Sequence, residues 1–288
     1  MHTKKLADLM KGPDILLAPG GYDALSASLI EKAGFKAMYL SGASIAYTRL
    51  GRPDIGLVSM SEVAETIALI RERVDLPIIV DADTGFGNAI NVQRTVRLFE
   101  RSGASAIQLE DQQMPKRCGH LKGKSLISTA EMVGKIKAAT DSRQNSDTLI
   151  IARTDAIAVE GFDNAMERAD AYYQAGADVL FIEAPESLAQ MQHMNSYFEG
   201  KVPLLANMVE GGNTPLQSAA DLQKLGYQLV IFPGALVRAY SFLAQNFLAT
   251  LKTEGSTQSY RDKMLDLTGL NKLLGTEDIL SNGKKYEG

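Results

Sequence analysis

Asp81 and Asp83 stand two apart in PIIVDADTG (77–85). Other short apolar runs end in Glu110 and Asp111 (AIQLED, 106–111), in Arg153 and Asp155 (TLIIARTDA, 148–156), in Glu183 (VLFIEAP, 179–185) and in Asn207 (PLLANM, 203–208). Side chains two apart on an extended chain project to one side, so Asp81 and Asp83 share a face. Carboxylates gathered on one rim repel one another in a low dielectric, which is costly unless a cation neutralises them. The donors on offer are hard oxygens. His120 is the only histidine near such a run and there is no thiolate cluster, which favours Mg²⁺, with Mn²⁺ as the alternative, over zinc. One acidic residue at a strand end serves equally well as a helix N-cap. Three strands ending this way favour the metal reading.

The single cysteine, Cys118, lies in KRCGHLKGK (116–124), among Lys116, Arg117, His120, Lys122 and Lys124. Nearby positive charge stabilises a thiolate, and Gly119 and Gly123 make the segment a mobile loop, so Cys118 is expected to act as an acid or base under a closing lid. Arg153 offers a fork of donors that can clamp a substrate carboxylate, or can pair internally with Glu183 or Asp155. His2 and His193 read as solvated surface residues.

Eight runs carry these groups: the five above together with DILLAPG (14–20), KAMYLSG (36–42) and LVIFPG (229–234). Each is separated from the next by enough chain for a helix, the pattern of an α/β fold of the (β/α)₈ barrel type. A doubly wound open sheet shares the helix–strand alternation, and the eight-fold count favours the barrel. Four junctions repeat the motif of a helix ending in glycine before a strand, at Gly34, Gly103, Gly176 and Gly226, where a left-handed C-cap favours glycine. The polar stretch DSRQNSD (141–147) reads as the loop before the fifth strand. With 288 residues and 45% hydrophobic content the chain is expected to form one barrel domain over residues 1–288, its last helices and a polar tail lying beyond about residue 240. In a barrel the reacting groups sit at the C-terminal ends of the strands, where the acidic residues fall.

Thirty basic against 34 acidic residues, a formal net charge of −4, with no long basic run, argue against nucleic acid or anionic membrane as partner. Small molecules are the expected ligands. No apolar stretch of membrane-spanning length occurs, and MHTKKLADLMKGPD meets Gly-Pro too early for a signal peptide, so a cytoplasmic location is expected. A lone cysteine forms no intramolecular disulfide.

With these residues in place, the sequence resembles the isocitrate lyase and phosphoenolpyruvate mutase superfamily. The resemblance runs from GGYDALSA (20–27) to the last strand and is carried by DADTGFG and KRCGH, with YLSG (39–42), RPDIG (52–56), QLEDQ (108–112), ARTDA (152–156), IEAP (182–185) and ANMVEGG (206–212). It implies a barrel whose last helix is exchanged with a neighbour, and a homotetramer built as a dimer of dimers. It further implies Mg²⁺ held by Asp83, with Asp54, Asp81 and Glu110 reached mainly through water, and a 2-oxo acid group on that metal. Ser41, Gly42 and Ala43 would hold the carboxylate, and Tyr39 and Arg153 would face the reacting oxygen. Glu183 counts among the catalytic groups.

The KRCGH loop resembles the lyase branch. The implied reaction cleaves the C2–C3 bond of a 2-hydroxy acid. Cys118 would protonate the departing carbanion, while Gly119, His120 and Asn207 bind its carboxylate. Val209 and Ala235 stand where methylisocitrate lyases usually carry hydroxyl residues, whereas Arg238 matches a position that contacts the extra carboxylate in those enzymes. The expected substrate is therefore a 2-alkylmalate-type dicarboxylate. 2-Methylisocitrate is the alternative, and oxaloacetate decarboxylation or hydrolysis, or phosphonopyruvate chemistry, is a further one.

Overall fold

The computed structural model describes residues 2–287, and its contacts divide the chain into two compact units, one extending to Val237 and the other from Arg238 onward. The first unit contains eight strands: β1 Leu16–Gly21, β2 Met38–Leu40, β3 Ile78–Asp81, β4 Ala106–Glu110, β5 Leu149–Thr154, β6 Val179–Ile182, β7 Leu205–Asn207 and β8 Leu229–Phe232. All pairings are parallel, in the order β6-β5-β4-β3-β2-β1-β8-β7. The ends of that order meet through a parallel bridge between Leu180 and Leu204, where the Leu180 N–H donates to the Pro203 carbonyl at 3.0 Å. Helices follow the strands in turn, so the architecture is the expected (β/α)₈ barrel rather than an open sheet.

Period-two alternation sorts the strand residues into two layers. Met38, Leu40, Ile78, Val80, Ile107, Leu109, Ile150, Leu180, Ile182 and Val230 pack outward in the cluster shared with the surrounding helices. Leu16, Ala18, Tyr39, Ile79, Ala106, Ile151, Val179, Phe181, Leu205, Leu229 and Ile231 face inward. The helix His2–Met10 belongs to this second cluster through Leu6 and Met10, and so plugs the N-terminal mouth of the barrel. His2 takes part in that closure: its Nδ1 lies 3.1 Å from the buried Ser105 Oγ, and burial pushes its pKa down to about 4, so it is not the solvated residue expected.

Gly34, Gly103, Gly176 and Gly226 all have positive φ at helix C-termini, as expected. The helix Thr129–Ser142 takes the first two residues of the 141–147 stretch, and the loop begins at Arg143. In the second unit, most of the helix Ala235–Glu254 is followed by a 3₁₀ turn, Gln258–Lys263, and by the helices Leu267–Leu274 and Thr276–Gly283. Tyr260 is buried there with its ring edge-on to Phe247, and neither short helix buries a side chain. No helix among the described residues is long and apolar enough to cross a membrane.

Leu6 is 1% exposed in the plug. Leu6→Ala removes buried methyl groups and leaves a cavity in the inner layer, so the urea midpoint is expected to fall by an amount equivalent to about 2–5 kcal/mol.

Candidate active site

The inward register that is apolar at the bottom of the barrel becomes polar at the top. Continuing in steps of two from Ile79, Ala106, Ile151, Val179 and Leu205, the chain places Asp81, then Gln108 and Glu110, then Arg153 and Asp155, then Glu183, and Asn207 at the C-terminal rim. All are nearly or wholly buried. Tyr39 donates its hydroxyl to Gln108 Oε1 at 3.0 Å, and Gln108 Nε2 donates to Asp81 Oδ1 at 3.4 Å. Burial holds the Tyr39 phenol well above its ordinary pKa, so it is a hydroxyl and not a phenolate. Among the described residues the non-glycine positions with positive φ are Asp83, Phe86 and Ala184, all just past β3 or β6. Backbone strain of this kind persists where the surroundings over-determine it.

Ser41 follows β2 and caps the short helix Gly42–Ile45, its Oγ accepting from the Ser44 N–H, while the Gly42 N–H donates to Asp81 Oδ2 at 3.3 Å. Ala43 follows, half-buried. A π-helical turn, Ala46–Leu50, and the left-handed Gly51 then return the chain to the rim at Asp54. The N-cap alternative for the strand-end acids does not hold. The caps after β3, β4, β6 and β7 are Asn88, Ser128, Ser187 and Ser218, which leaves Asp81, Asp83, Glu110 and Glu183 for other work.

What neutralises these carboxylates is partly internal. Lys116 Nζ lies 2.7 Å from both Asp54 Oδ1 and Asp83 Oδ1. Burial alone would push this ammonium down, but Asp83, Glu110, Asp81 and Asp54 outweigh it and hold the lysine well above its usual pKa. The compensation is incomplete. Asp83 is pushed up to about 6 by burial against the pull of Lys116, Glu110 is raised well above the carboxylate range by burial, and neither Glu110 oxygen has a hydrogen-bond partner. Among the described residues, Asp54, Asp83, Glu110, Asp155 and Glu183 pair closely with Lys116, Lys124 and Arg153 as their lysine and arginine partners, and Asp81 has no such pair. A further hard cation therefore fits the donor set chemically. Among the described residues no three His, Cys, Asp or Glu groups converge as a ready cage, since the Lys116 ammonium stands between two of them.

The 116–124 segment lies on this rim. The Cys118 N–H donates to the Asp54 carbonyl at 3.2 Å, and the Gln112 side chain pairs with both the N–H and the carbonyl of Arg117. Gly119 packs so closely that a Cβ would sit 2.3 Å from Arg153 Nη2 and 2.8 Å from Glu183 Cγ, which is the physical reason for glycine there. His120 Nδ1 accepts from the Asn213 N–H, leaving Nε2 to carry the proton 3.5 Å from Glu183 Oε1. Glu183 also receives Asn207 Nδ2 at 3.0 Å and approaches Arg153 Nη2 at 3.4 Å. Arg153 takes its internal option, with both of the expected partners. It is clamped bidentately by Asp155 at 2.9 and 3.0 Å, lies 4.9 Å from the Phe181 ring centroid, and still faces Glu110 and Glu183.

Two expectations need correction. The basic loop does not stabilise a Cys118 thiolate, because Lys116 is committed to Asp54 and Asp83, Lys124 to Asp155, and Arg117 to the Lys122 carbonyl. Burial dominates and pushes the thiol up, so Cys118 keeps its proton near neutrality. Asp111, grouped with the rim acids by sequence, points the other way. It accepts from Thr154 Oγ1, Tyr172 Oη, the Asp155 N–H and, more distantly, Arg168 within the helix layer. Gln108 and Lys116 were not singled out as site residues, though the inward parity of β4 marks Gln108. Val209 and Ala235 are half-buried, and Arg238 is an exposed residue of the second unit.

The raised thiol fixes a pH signature. A raised pKa depletes the thiolate, so alkylation of Cys118 by N-ethylmaleimide at pH 7 is expected to be slower than that of the urea-unfolded chain, with the rate still rising above pH 9. A native rate at pH 7 equal to or above the unfolded rate would show the opposite shift.

Comparison with known proteins identifies the family. The family model described as phosphoenolpyruvate phosphomutase matches residues 6–251. The chain is 45% identical over 275 residues to 2,3-dimethylmalate lyase of Eubacterium barkeri, covering 96% of this chain and 94% of that one. It is 47% identical over 274 residues to 2-methylisocitrate lyase of Aeropyrum pernix, covering 95% and 87%. A crystal structure of 2,3-dimethylmalate lyase, a PEP mutase/isocitrate lyase superfamily member, superposes with a TM-score of 0.94 at 35% identity over 100% of this chain and 96% of that one. Phosphonopyruvate hydrolase in complex with oxalate and Mg²⁺ does so at 0.90 and 30% identity, covering all of both chains. On sequence and fold together, the protein belongs to the phosphoenolpyruvate phosphomutase family, within the PEP mutase/isocitrate lyase superfamily.

Proposed function

We propose that the protein is a Mg²⁺-dependent carbon–carbon lyase that cleaves the C2–C3 bond of a 2-hydroxy dicarboxylate of the 2-alkylmalate type, releasing pyruvate or another 2-oxo acid and a carboxylate. The observation that carries the reading is a protonated Cys118 on a loop tied to the rim, its N–H on the Asp54 carbonyl and the adjacent Gly119 pressed against Arg153 and Glu183. An acid is what the departing fragment needs, since breaking C2–C3 leaves the electron pair on C3, and the Cys118 Sγ–H supplies the proton that turns it into a C–H bond.

Asp83, with Asp54, Asp81 and Glu110 beside it, would hold the cation, with Mg²⁺ ahead of Mn²⁺. When bound, it supplies positive charge opposite the oxygen that becomes the 2-oxo group. The protein's own groups do the rest. A rim carboxylate takes the hydroxyl proton, and the Arg153 fork, fixed by Asp155, and the Tyr39 hydroxyl face the oxygen left behind. Ser41, Gly42 and Ala43 receive the carboxylate of the 2-oxo half. Gly119, His120 and Asn207 hold the carboxylate of the other half, with Glu183 fixing the last two in place. The loop excludes water that would compete for the carbanion and weaken these fixed charges. The homotetramer with an exchanged last helix, and a cytoplasmic location, belong to the same proposal.

Val209 and Ala235 favour a compact alkylmalate over a longer substrate. The name of the 45% identical relative, 2,3-dimethylmalate lyase, supports that choice. Arg238 and the 2-methylisocitrate lyase at 47% identity favour the second reading, 2-methylisocitrate giving pyruvate and succinate.

A lactate-dehydrogenase-coupled assay with Mg²⁺ on 2,3-dimethylmalate, 2-methylmalate, 2-methylisocitrate and oxaloacetate separates these. The alkylmalates are expected to turn over fastest. A strong preference for methylisocitrate would install the second reading, and oxalate or CO₂ release from oxaloacetate alone would remove the lyase assignment. Cys118→Ser should lower cleavage by about 10²–10⁴-fold, the range of a lost proton donor, while pyruvate binding measured by calorimetry persists. Asp83→Ala should abolish Mg²⁺-dependent turnover without loss of the folded circular-dichroism spectrum, and turnover at the normal level would remove Asp83 from the cation site.

A further inference from the structure

We infer that Lys124 is a positioning residue which, through Asp155, locks the Cys118 loop onto the same carboxylate that orients Arg153. The inference rests on the lyase reading for its consequence in turnover, but not for its structural content.

Asp155 is 1% exposed and serves two masters. Its Oδ2 accepts from Arg153 Nε at 2.9 Å, and its Oδ1 accepts from Arg153 Nη2 at 3.0 Å and from Lys124 Nζ at 3.3 Å. Asp155 is itself fixed, because its N–H donates to Asp111 Oδ1 at 2.9 Å and Asp111 is held in turn by Thr154 and Tyr172. Burial opposes the ionised carboxylate, and the two cations outweigh it. The Lys124 side chain is 2% exposed, and its ammonium also donates to the Gly119 carbonyl, five residues back. One buried ammonium thus closes the segment from Gly119 to Lys124 into a ring and ties that ring to the barrel. The tie falls where Gly119 approaches Arg153 within the space of a missing Cβ.

The geometry makes closure and arginine orientation one event. With the loop in place Asp155 is shared between two cations and Gly119 walls one side of the Arg153 fork. If the loop lifts, the lysine leaves Asp155, the wall goes, and Cys118 moves off the rim with it. The other end of the segment is tied separately, through Lys116 to Asp54 and Asp83 and through Gln112 to Arg117, so removing Lys124 loosens the Cys118–Lys124 half, leaving it the Cys118 N–H on the Asp54 carbonyl and the Asn213 N–H on His120 Nδ1, without releasing the whole loop.

The chain holds a single cysteine, which makes the loop's position readable without substrate. In Lys124→Gln the N-ethylmaleimide rate at Cys118 at pH 7 is expected to rise about tenfold, as the thiol leaves the burial that holds its pKa up and opens to the reagent. Loss of a nearby positive charge would by itself raise that pKa and slow the reaction, so the sign distinguishes lifting of the loop from a simple charge effect. On the preferred substrate kcat should drop about 10²-fold, as misplacement of a reacting group does, with KM little changed. Lys124→Arg, which keeps the charge and reach, should restore both. An unchanged or slower alkylation in Lys124→Gln overturns the inference, as does a rise in KM with kcat intact. If Lys124→Gln fails to fold, the test passes to Lys124→Met: faster alkylation supports the inference, and a wild-type rate overturns it. Faster alkylation in a protein that cleaves none of the four substrates leaves the lock standing and removes the lyase reading instead.

Discussion

Electrostatic compensation in a dry rim is the constraint on which the rest of the structure depends. Six carboxylates brought together at low dielectric are tolerable only with positive charge among them. The chain provides it unevenly: Lys116 between Asp54 and Asp83, Arg153 and Lys124 on Asp155, and too little for Glu110. The deficit is what a divalent cation would make good. Lys116 and Lys124 are consumed in this compensation, Arg117 is turned onto backbone and Lys122 is exposed, and the thiol is therefore governed by burial. A loop that reads as an activated nucleophile in sequence becomes, once its charges are spent, a carrier of a protonated acid.

The barrel supplies the dryness. Its inner layer is apolar from the helical plug at the bottom to Phe181 and Ile231, and polarity enters in the upper turns of the strands, at Gln108, Arg153 and Asp81. The Arg153 guanidinium stacked over Phe181 sits at that boundary, with carboxylates above and an aromatic face below. Precision at the rim comes from strands rather than loops. The one loop that matters is pressed down so closely that glycine is required at position 119.

Much of this was legible in the sequence for physical reasons. Acids and an arginine at strand ends marked Asp81, Asp83, Glu110 and Arg153, although Asp83 reaches the rim through a left-handed backbone past β3 rather than by strand alternation, and eight apolar runs spaced for helices marked the barrel. Strand parity separates Glu110 from Asp111, but two adjacent acids at a strand end look alike until the packing of Tyr172 and Arg168 behind one of them is known. The commitment of Lys116 and Lys124 was not legible, because a flexible side chain on a loop declares no direction in sequence. His2 was misread for a related reason: a residue at a chain start reads as solvated unless a helix is known to carry it into the mouth of a barrel.

The seam between β6 and β7 is the least completed joint of the sheet, with a single bridge between Leu180 and Leu204 where the other neighbours share longer ladders. Directly above it Asn207 on one side donates to Glu183 on the other at 3.0 Å. That side-chain bond acts as a stitch, continuing across the gap what the main chain leaves undone. The pair therefore bridges the two ends of the sheet order at the C-terminal rim, one side-chain bond closing the cylinder where the strands leave it nearly open.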